Sequence, residues 1–482
     1  MNLTKKMLME STGMLHTVWV ALLLLTAYHL HARPITADSL FVRQLLDTGL
    51  PLVSITTIDG TDPTYDEVSP PEGAWGLGIT NASKNPARVT IQLAADIVYD
   101  SGDYEKDISG ATLKIHGNTS AYTLKKAYKI KLQKKADLLC RGNHRFDDKN
   151  WLLLKVININ SLIGFKMNEI IGMAWSPSGH LVNVVVNSDY KGLYLLAESV
   201  RRNADGRMNV DKDDGYVFEW DPYWWNEPLY VESSYLEPLH YTLKYPDADD
   251  ITSGQLQWFT SFIKAFEQSV NDSTYSEMID VQSFANWLLG RDILGNSDAP
   301  GSNIFFSKYD TSAGSKVVIG PMWDFDSILK KSGFDQIHAM GPFCALLRNE
   351  NETFRETYAR TWKERKDQFF GDLNAFLDSL PNTRDGRGYG PSFTLNSNRW
   401  DYAIRESIEE AVSKAKAFLD NRKAELDKLI EEEFFIVGIH DVTVCQPLVL
   451  TSTYFSLTGA TLDSHTAKKG IYLNNKKKVV VR

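Results

Sequence analysis

Asp298-Ala-Pro-Gly-Ser-Asn303, followed by Trp323-Asp-Phe-Asp326, is the stretch on which the reading of this chain turns. Residues 304–307 and 316–319 read as short strands around a turn at 310–314. They interrupt a second half otherwise patterned for helices, so both motifs fall in loops at strand ends. Pro300 and Gly301 break helix or strand alike. Loops held by a rigid scaffold are where catalytic groups concentrate. Asp298 precedes Asn303 by five residues, and Asp324 follows Asp298 by 26. Phosphoryl transfer to a hydroxyl needs this set of groups. One Asp orients the hydroxyl, while an Asn and a second Asp hold a hard cation against the phosphates. Asn303 offers a neutral oxygen, Asp324 a carboxylate of the kind magnesium accepts, and Asp326 is near enough for a second contact. The plainer reading is that Asp298 and Asn303 only shape a turn, which is common work for these residues.

Helical spacing covers residues 251–270 and 280–294 and returns at 354–380. A polar, Gly-rich loop is expected at 381–391, then a long charged helix ending near Glu433. The first half is strand-like. Leu52-Val-Ser-Ile-Thr-Thr57 is rich in β-branched residues, and 89–98 and 111–116 are further strands. In Tyr128-Lys-Ile-Lys-Leu132 the alternation puts Tyr128, Ile130 and Leu132 on one face and Lys129 and Lys131 on the other. Trp151-Leu-Leu-Leu-Lys155 is a buried strand or a helix start, and Asn160-Ser161 is positioned to cap a helix running to Met173. Residues 181–187 and 192–198 form a hairpin around Ser188-Asp189, and 216–220 is another strand. Short strands with turn signals recur between 442 and 482. The pattern is α+β: a two-lobed molecule with a β-rich N-lobe, a helical C-lobe and a small C-terminal β appendage.

Composition is that of a globular protein, with 43% hydrophobic and 23% charged residues in 482. The net charge of −9 excludes a general nucleic-acid binder, which needs a basic footprint. One basic run breaks the acidic trend: Lys125, Lys126, Lys129, Lys131, Lys134 and Lys135. It suits a phosphorylated ligand or is a solvated strand face. Lys131 is the first choice of phosphate-binding cation, with Lys126 and Lys129 as rivals, and Glu198 could supply its carboxylate partner. Gly117 and Asn118, ahead of the Lys-rich strand, would bring backbone amides near a phosphate. Trp220, Trp224 and Trp225 cluster within eight residues, as core packing or as a sugar platform. The three cysteines show no zinc spacing, so neither a disulfide framework nor structural zinc is expected.

Lys5 and Lys6 followed by an apolar run at 14–27 read as an export signal over residues 1–32, with a leader segment at 33–50. The mature chain is then expected to be periplasmic, displayed on the outer-membrane surface or secreted.

Taken together, these residues resemble the CotH family of spore-coat-type atypical protein kinases. The carrying segments are 52–57, Gly117-Asn118, Lys125-Lys-Ala-Tyr-Lys-Ile-Lys131, Asn150-Trp151, Ser161-Leu162, Gly192-Leu-Tyr-Leu-Leu-Ala-Glu198, 296–303 and Gly320-Pro-Met-Trp-Asp-Phe-Asp326. They fall in order across a kinase-like domain at 51–434. The resemblance implies transfer of the ATP γ-phosphate to Ser or Thr of a protein substrate, with magnesium or manganese. It implies Asp298 as catalytic residue, Asn303 and Asp324 as metal ligands and Lys131 at the nucleotide, where the sequence reading also places Glu198, Gly117 and Asn118. Two positions depart from the family: His116 where Arg precedes Gly-Asn, and Gly164 where the nearby helix carries Arg. The tail at 435–482, with Lys-Gly-Ile-Tyr472 and Lys-Lys-Val-Val-Val481, resembles the sorting tails of Bacteroidetes-type exported proteins and implies surface association. Two other readings stand beside the kinase. One is a surface binding or scaffold protein that kept the fold and lost turnover. The other is a glycan-active enzyme using Asp324 or Asp326 with Glu198.

Overall fold

A computed structural model describes residues 33–432, except 75, 234, 237–238, 298–301 and 401–405, and four short strands near the C-terminus. Asp298 and the export signal therefore lie outside the described residues. In chain order the strands are β1 (Leu52–Thr57), β2 (Asp66–Val68), β3 (Gly78–Thr80), β4 (Asn85–Leu93), β5 (Asp96–Asp100), β6 (Ala111–His116), β7 (Ala127–Ala136), β8 (Asp148–Lys155), β9 (Gly179–Val186), β10 (Asp189–Glu198), β11 (Tyr216–Trp220), β12 (Tyr230–Ser233), β13 (Leu239–Tyr245), β14 (Ile304–Lys308) and β15 (Val317–Ile319). The helices are α1 (Ser39–Asp47), α2 (Asn160–Ile171), α3 (Ser253–Asn271), α4 (Val281–Leu294), α5 (Gly341–Leu347), α6 (Thr353–Ser379), α7 (Arg384–Arg399) and α8 (Ile408–Glu431).

The mixed α+β content agrees with the sequence. A closed barrel stands where a β-rich N-lobe is expected, and the two-lobed division finds no support in it. Seven strands run β1-β9-β10-β8-β7-β6-β4, and β4 pairs back onto β1. Closure removes the unpaired edges an open sheet would expose. Period-two alternation fills the interior with Val53, Ile55, Ile130, Trp151, Val184 and Leu196, among others. The other faces of β9 and β10 are also buried: Leu181, Leu193, Leu195 and Ala197 join α2 and the helical half in one large core. This double burial explains why β9 and β10 read as continuous apolar runs. A second sheet, β12-β13-β11-β14-β15, lies within the helical half.

Several expectations need correction. The single strand at 89–98 is a β4–β5 hairpin, because Ala94 turns the chain at φ +51° without a Gly or Asn to announce it. The loop at 381–391 is mostly the first half of α7. The Thr383 side chain caps it by accepting the Gly386 N–H. Its glycines are there for contact rather than flexibility: a Cβ on Gly386 would lie 1.9 Å from Leu380 O, and one on Gly388 2.4 Å from Leu50. Asn160 does not cap α2. It is the first helical residue, and its amide reaches across to the carbonyls of Asp326 and Ile328, both at 3.4 Å. Cys140 is free. Short strands at Tyr454–Phe455, Thr461–Leu462, Gly470–Asn474 and Lys477–Val481 form a separate four-stranded sheet in the expected C-terminal segment.

Candidate functional site

Asn303 immediately precedes β14, and Asp324 follows β15 by five residues, so neighbouring strands carry both motifs to one end of the second sheet. Both residues sit in the left-handed region, at φ +58° and +59°. Among non-glycine residues, Asn and Asp tolerate that conformation best. Asn303 Nδ2 lies 3.4 Å from Asp324 Oδ2. The Asn296 amide donates to the Asp324 carbonyl at 3.5 Å.

Helix α2 grips the Trp323-Asp-Phe-Asp326 stretch from the other side. Phe165 packs on Trp323 and Phe325, with ring centroids 5.5 and 6.0 Å apart. Gly164 is the position where a side chain would collide with Phe325: its Cβ would meet the ring at 2.1 Å. The departure from the family's Arg is therefore a packing requirement. The fully buried Asn168 accepts the Met322 N–H at 2.8 Å and donates to the Met322 carbonyl at 3.1 Å.

Glu219 and Lys244, which the sequence reading passed over, complete the acidic side. Glu219 lies on β11, beside β14, and its Oε1 accepts the backbone N–H of Asn303 at 3.1 Å. Lys244 on β13 sits 3.0 Å from Glu219, 3.6 Å from Asp221 and 3.2 Å from Glu227. Burial works to lower the Lys244 pKa, but these three carboxylates together raise it, so the ammonium stays charged. The available signal was a carboxylate inside the apolar strand Tyr-Val-Phe-Glu-Trp220: a buried charge needs a partner.

Cations line the outer face of β6 and β7. Register places Lys114 opposite Lys129. Burial pushes Lys129 down to about 8, helped by Arg201, Lys114 and Lys131. His116 follows on the same face of β6. Burial, with Lys129, Lys114 and Lys244 adding repulsion, lowers it to about 4, so it is neutral near pH 7. Lys155, at the end of β8, is lowered by burial against the opposing pull of Asp326 and Asp324. Gly117 turns at φ +96°, where a Cβ would strike Ser120 Oγ, and Asn118 Oδ1 accepts from Asn226 at 3.0 Å.

The structure does not bring Lys131 and Glu198 together. Ile130, Trp151 and Glu198 are paired across β7, β8 and β10, so all three face inward. Lys131 alternates outward and is exposed. Glu198 is buried at the barrel end, where it accepts from Arg141 at 2.9 Å and from the Ser178 N–H at 3.0 Å. In the Trp cluster, Trp220 is core, and Trp224 stacks on His240 at 4.1 Å.

No curated protein matches this chain. A crystal structure of the Helicobacter pylori proinflammatory kinase CtkA is similar over 79% of this chain and 98% of that one, at 10% identity and a TM-score of 0.30. That likeness is too loose to carry an argument. The model of the family described as CotH kinase protein matches residues 113–426, a span that contains every site residue named above. With well over half of its length matched, the chain belongs to the CotH kinase family.

Proposed function

We propose that this chain is an ATP-dependent protein kinase that transfers the γ-phosphate to Ser or Thr hydroxyls of a protein substrate, with magnesium, or manganese in its place. The observation that carries the reading is the Asn303–Asp324 pair, 3.4 Å apart on two left-handed residues and braced by α2. Kinases work by positioning and by offsetting charge more than by covalent chemistry. Asn303 and Asp324 would hold the metal. The donor set fits, because magnesium takes one or two protein ligands and fills the rest of its shell with phosphate oxygens and water. Among the described residues no group of three or more His, Cys, Asp or Glu could hold a metal, so the nucleotide would complete the set. Magnesium, held there by Asn303 and Asp324, would supply positive charge to offset that of the phosphates.

Asp298, five residues before Asn303 in the sequence, would orient the acceptor hydroxyl. Gly117 and Asn118 would present backbone at a phosphate. Lys129 is a better phosphate cation than Lys131, since it is half-buried in the row with Lys114 and His116 while Lys131 is exposed. Glu198 is left to the barrel end with Arg141. The glycan-active reading loses its base for the same reason. The inactive scaffold reading has one observation in its favour, the uncharged His116 where the family has Arg.

We also propose export to the periplasm, outer-membrane surface or medium. Lys5 and Lys6 ahead of the apolar run at 14–27 support it. No helix among the described residues is long and apolar enough to cross a membrane.

Incubation of the chain with labelled ATP, magnesium or manganese and an acceptor protein, beside an Asp324→Ala control, tests the proposal. Transfer lost in the control supports it. No transfer with any metal or a panel of acceptors moves the reading to the scaffold.

A further inference from the structure

Glu219 has no place in the reaction as described so far, yet the fold spends a buried carboxylate on it. Its neighbours Phe218 and Trp220 belong to the main core, so Glu219 is on the opposite face of β11. Thr242, its partner across the β11–β13 ladder, shares that face, and Lys244 lies two residues further along. A carboxylate buried there is costly unless it is paired and hydrogen-bonded. Lys244 pairs one oxygen, and the other goes to a backbone amide. That amide belongs to Asn303, the first residue beyond the β11–β14 ladder, which ends at Trp220 and Ile304. Asn303 thus leaves the sheet in a left-handed conformation with its N–H aimed at a side chain rather than at a strand.

We infer that Glu219 is a positioning residue: by accepting the Asn303 N–H, and itself held by Lys244, it fixes the backbone that presents the Asn303 side chain to the metal. The inference rests on the reading of Asn303 as a metal ligand. Glu219, Asp221 and Glu227 all lie within 4 Å of the single Lys244 ammonium. What matters in Glu219, on this account, is reach. Asp is shorter by one carbon–carbon bond, about 1.5 Å, and keeps its charge but falls short of the amide. Gln has the full reach and an acceptor oxygen but no charge.

The experiment is manganese binding, followed by electron paramagnetic resonance, to the full chain with a non-hydrolysable ATP analogue. Glu219→Gln, which keeps an acceptor for the Asn303 amide but loses the one Lys244 pairs with, should bind manganese more tightly than Glu219→Asp though less tightly than wild type. Glu219→Asp and Glu219→Ala should bind it about 10-fold more weakly or worse, as is usual when a partner behind a metal ligand is lost. The Asp variant leaves a carboxylate on the same face as Lys244 and serves where the Ala variant does not fold. Asp binding like wild type while Gln fails would mean that charge, not reach, is what counts, and would overturn the inference. So would equal binding by all variants, leaving the kinase reading intact. Wild-type chain that binds no manganese with the analogue would overturn both.

Discussion

Gly164→Ala puts a single methyl group where the Phe325 ring now lies. The added Cβ would be 2.1 Å from the ring, and ordinary contact begins near 3.4 Å, so the ring or the helix must retreat by about 1.3 Å. Neither has room. Phe325 and Phe165 are both buried, and Asn168, one turn further along α2, is bound to Met322 through two hydrogen bonds. Overpacking of this kind costs about 1–3 kcal/mol. The functional loss should be larger than that figure conveys, because Phe325 is the residue next to Asp324. A misplacement of about 1 Å at a positioned group can cost about 100-fold in rate. The checks are urea denaturation for stability and labelled-phosphate transfer for activity, with magnesium saturating. A variant as stable and as active as wild type would refute the claim that Gly164 is required by the packing of the Trp-Asp-Phe-Asp stretch.

Three other outcomes are expected. Asn168→Ala strands the buried Met322 N–H and carbonyl and should destabilise by about 1–3 kcal/mol for each group left unsatisfied, read from the urea midpoint. His116 has a folded pKa near 4 against an ordinary value of 6.5, so the unfolded chain takes up a proton that the folded chain refuses. Stability from this group is therefore intact above pH 6.5 and falls as pH drops towards 4, by about 3 kcal/mol at most; denaturation at pH 7 and 4.5 should show a smaller difference in His116→Gln than in wild type. Lys129→Ala should weaken nucleotide binding about 10-fold or more, the loss of a partly desolvated charge contact, while Lys131→Ala should stay within about threefold; equal effects in a calorimetric titration would sink the assignment of Lys129.

Much of this fold was legible from short apolar and β-branched runs bounded by turn residues. Leu52–Thr57, Ala111–His116 and Tyr216–Trp220 read directly as strands, and the Ser188 hairpin was announced by its turn. Barrel closure was not legible, since it depends on β1 pairing with both β4 and β9, and no local pattern encodes a partner. Helix α7 was hidden for the opposite reason: its Gly and Pro residues argue against a helix, and tertiary contact with Leu380 and Leu50 overrides them. At the site, Asn303 and Asp324 stood out by residue type and spacing. Glu219 and Lys244 did not, because their value lies in meeting across the β11–β13 pair. Lys131 was favoured over Lys129 for its place late in an alternating strand, and alternation fixes a face but not a depth.

The place of β1 in the barrel bears on how the chain is made. Leu52 pairs with Asn183, 131 residues later, and that parallel pairing closes the barrel wall. A ribosome delivers β1 long before β9 exists. In the interval β1 has only β4 as a neighbour, and one side of it stays open to any strand that comes by. Contacts so distant in sequence form slowly, since the loop between them must first be ordered. The nascent chain thus passes through a long phase with an unsealed seam, in which chaperone binding competes with mispairing. Substitutions in β9 would then be felt first in the yield of folded protein, before any effect on the chemistry of the finished molecule.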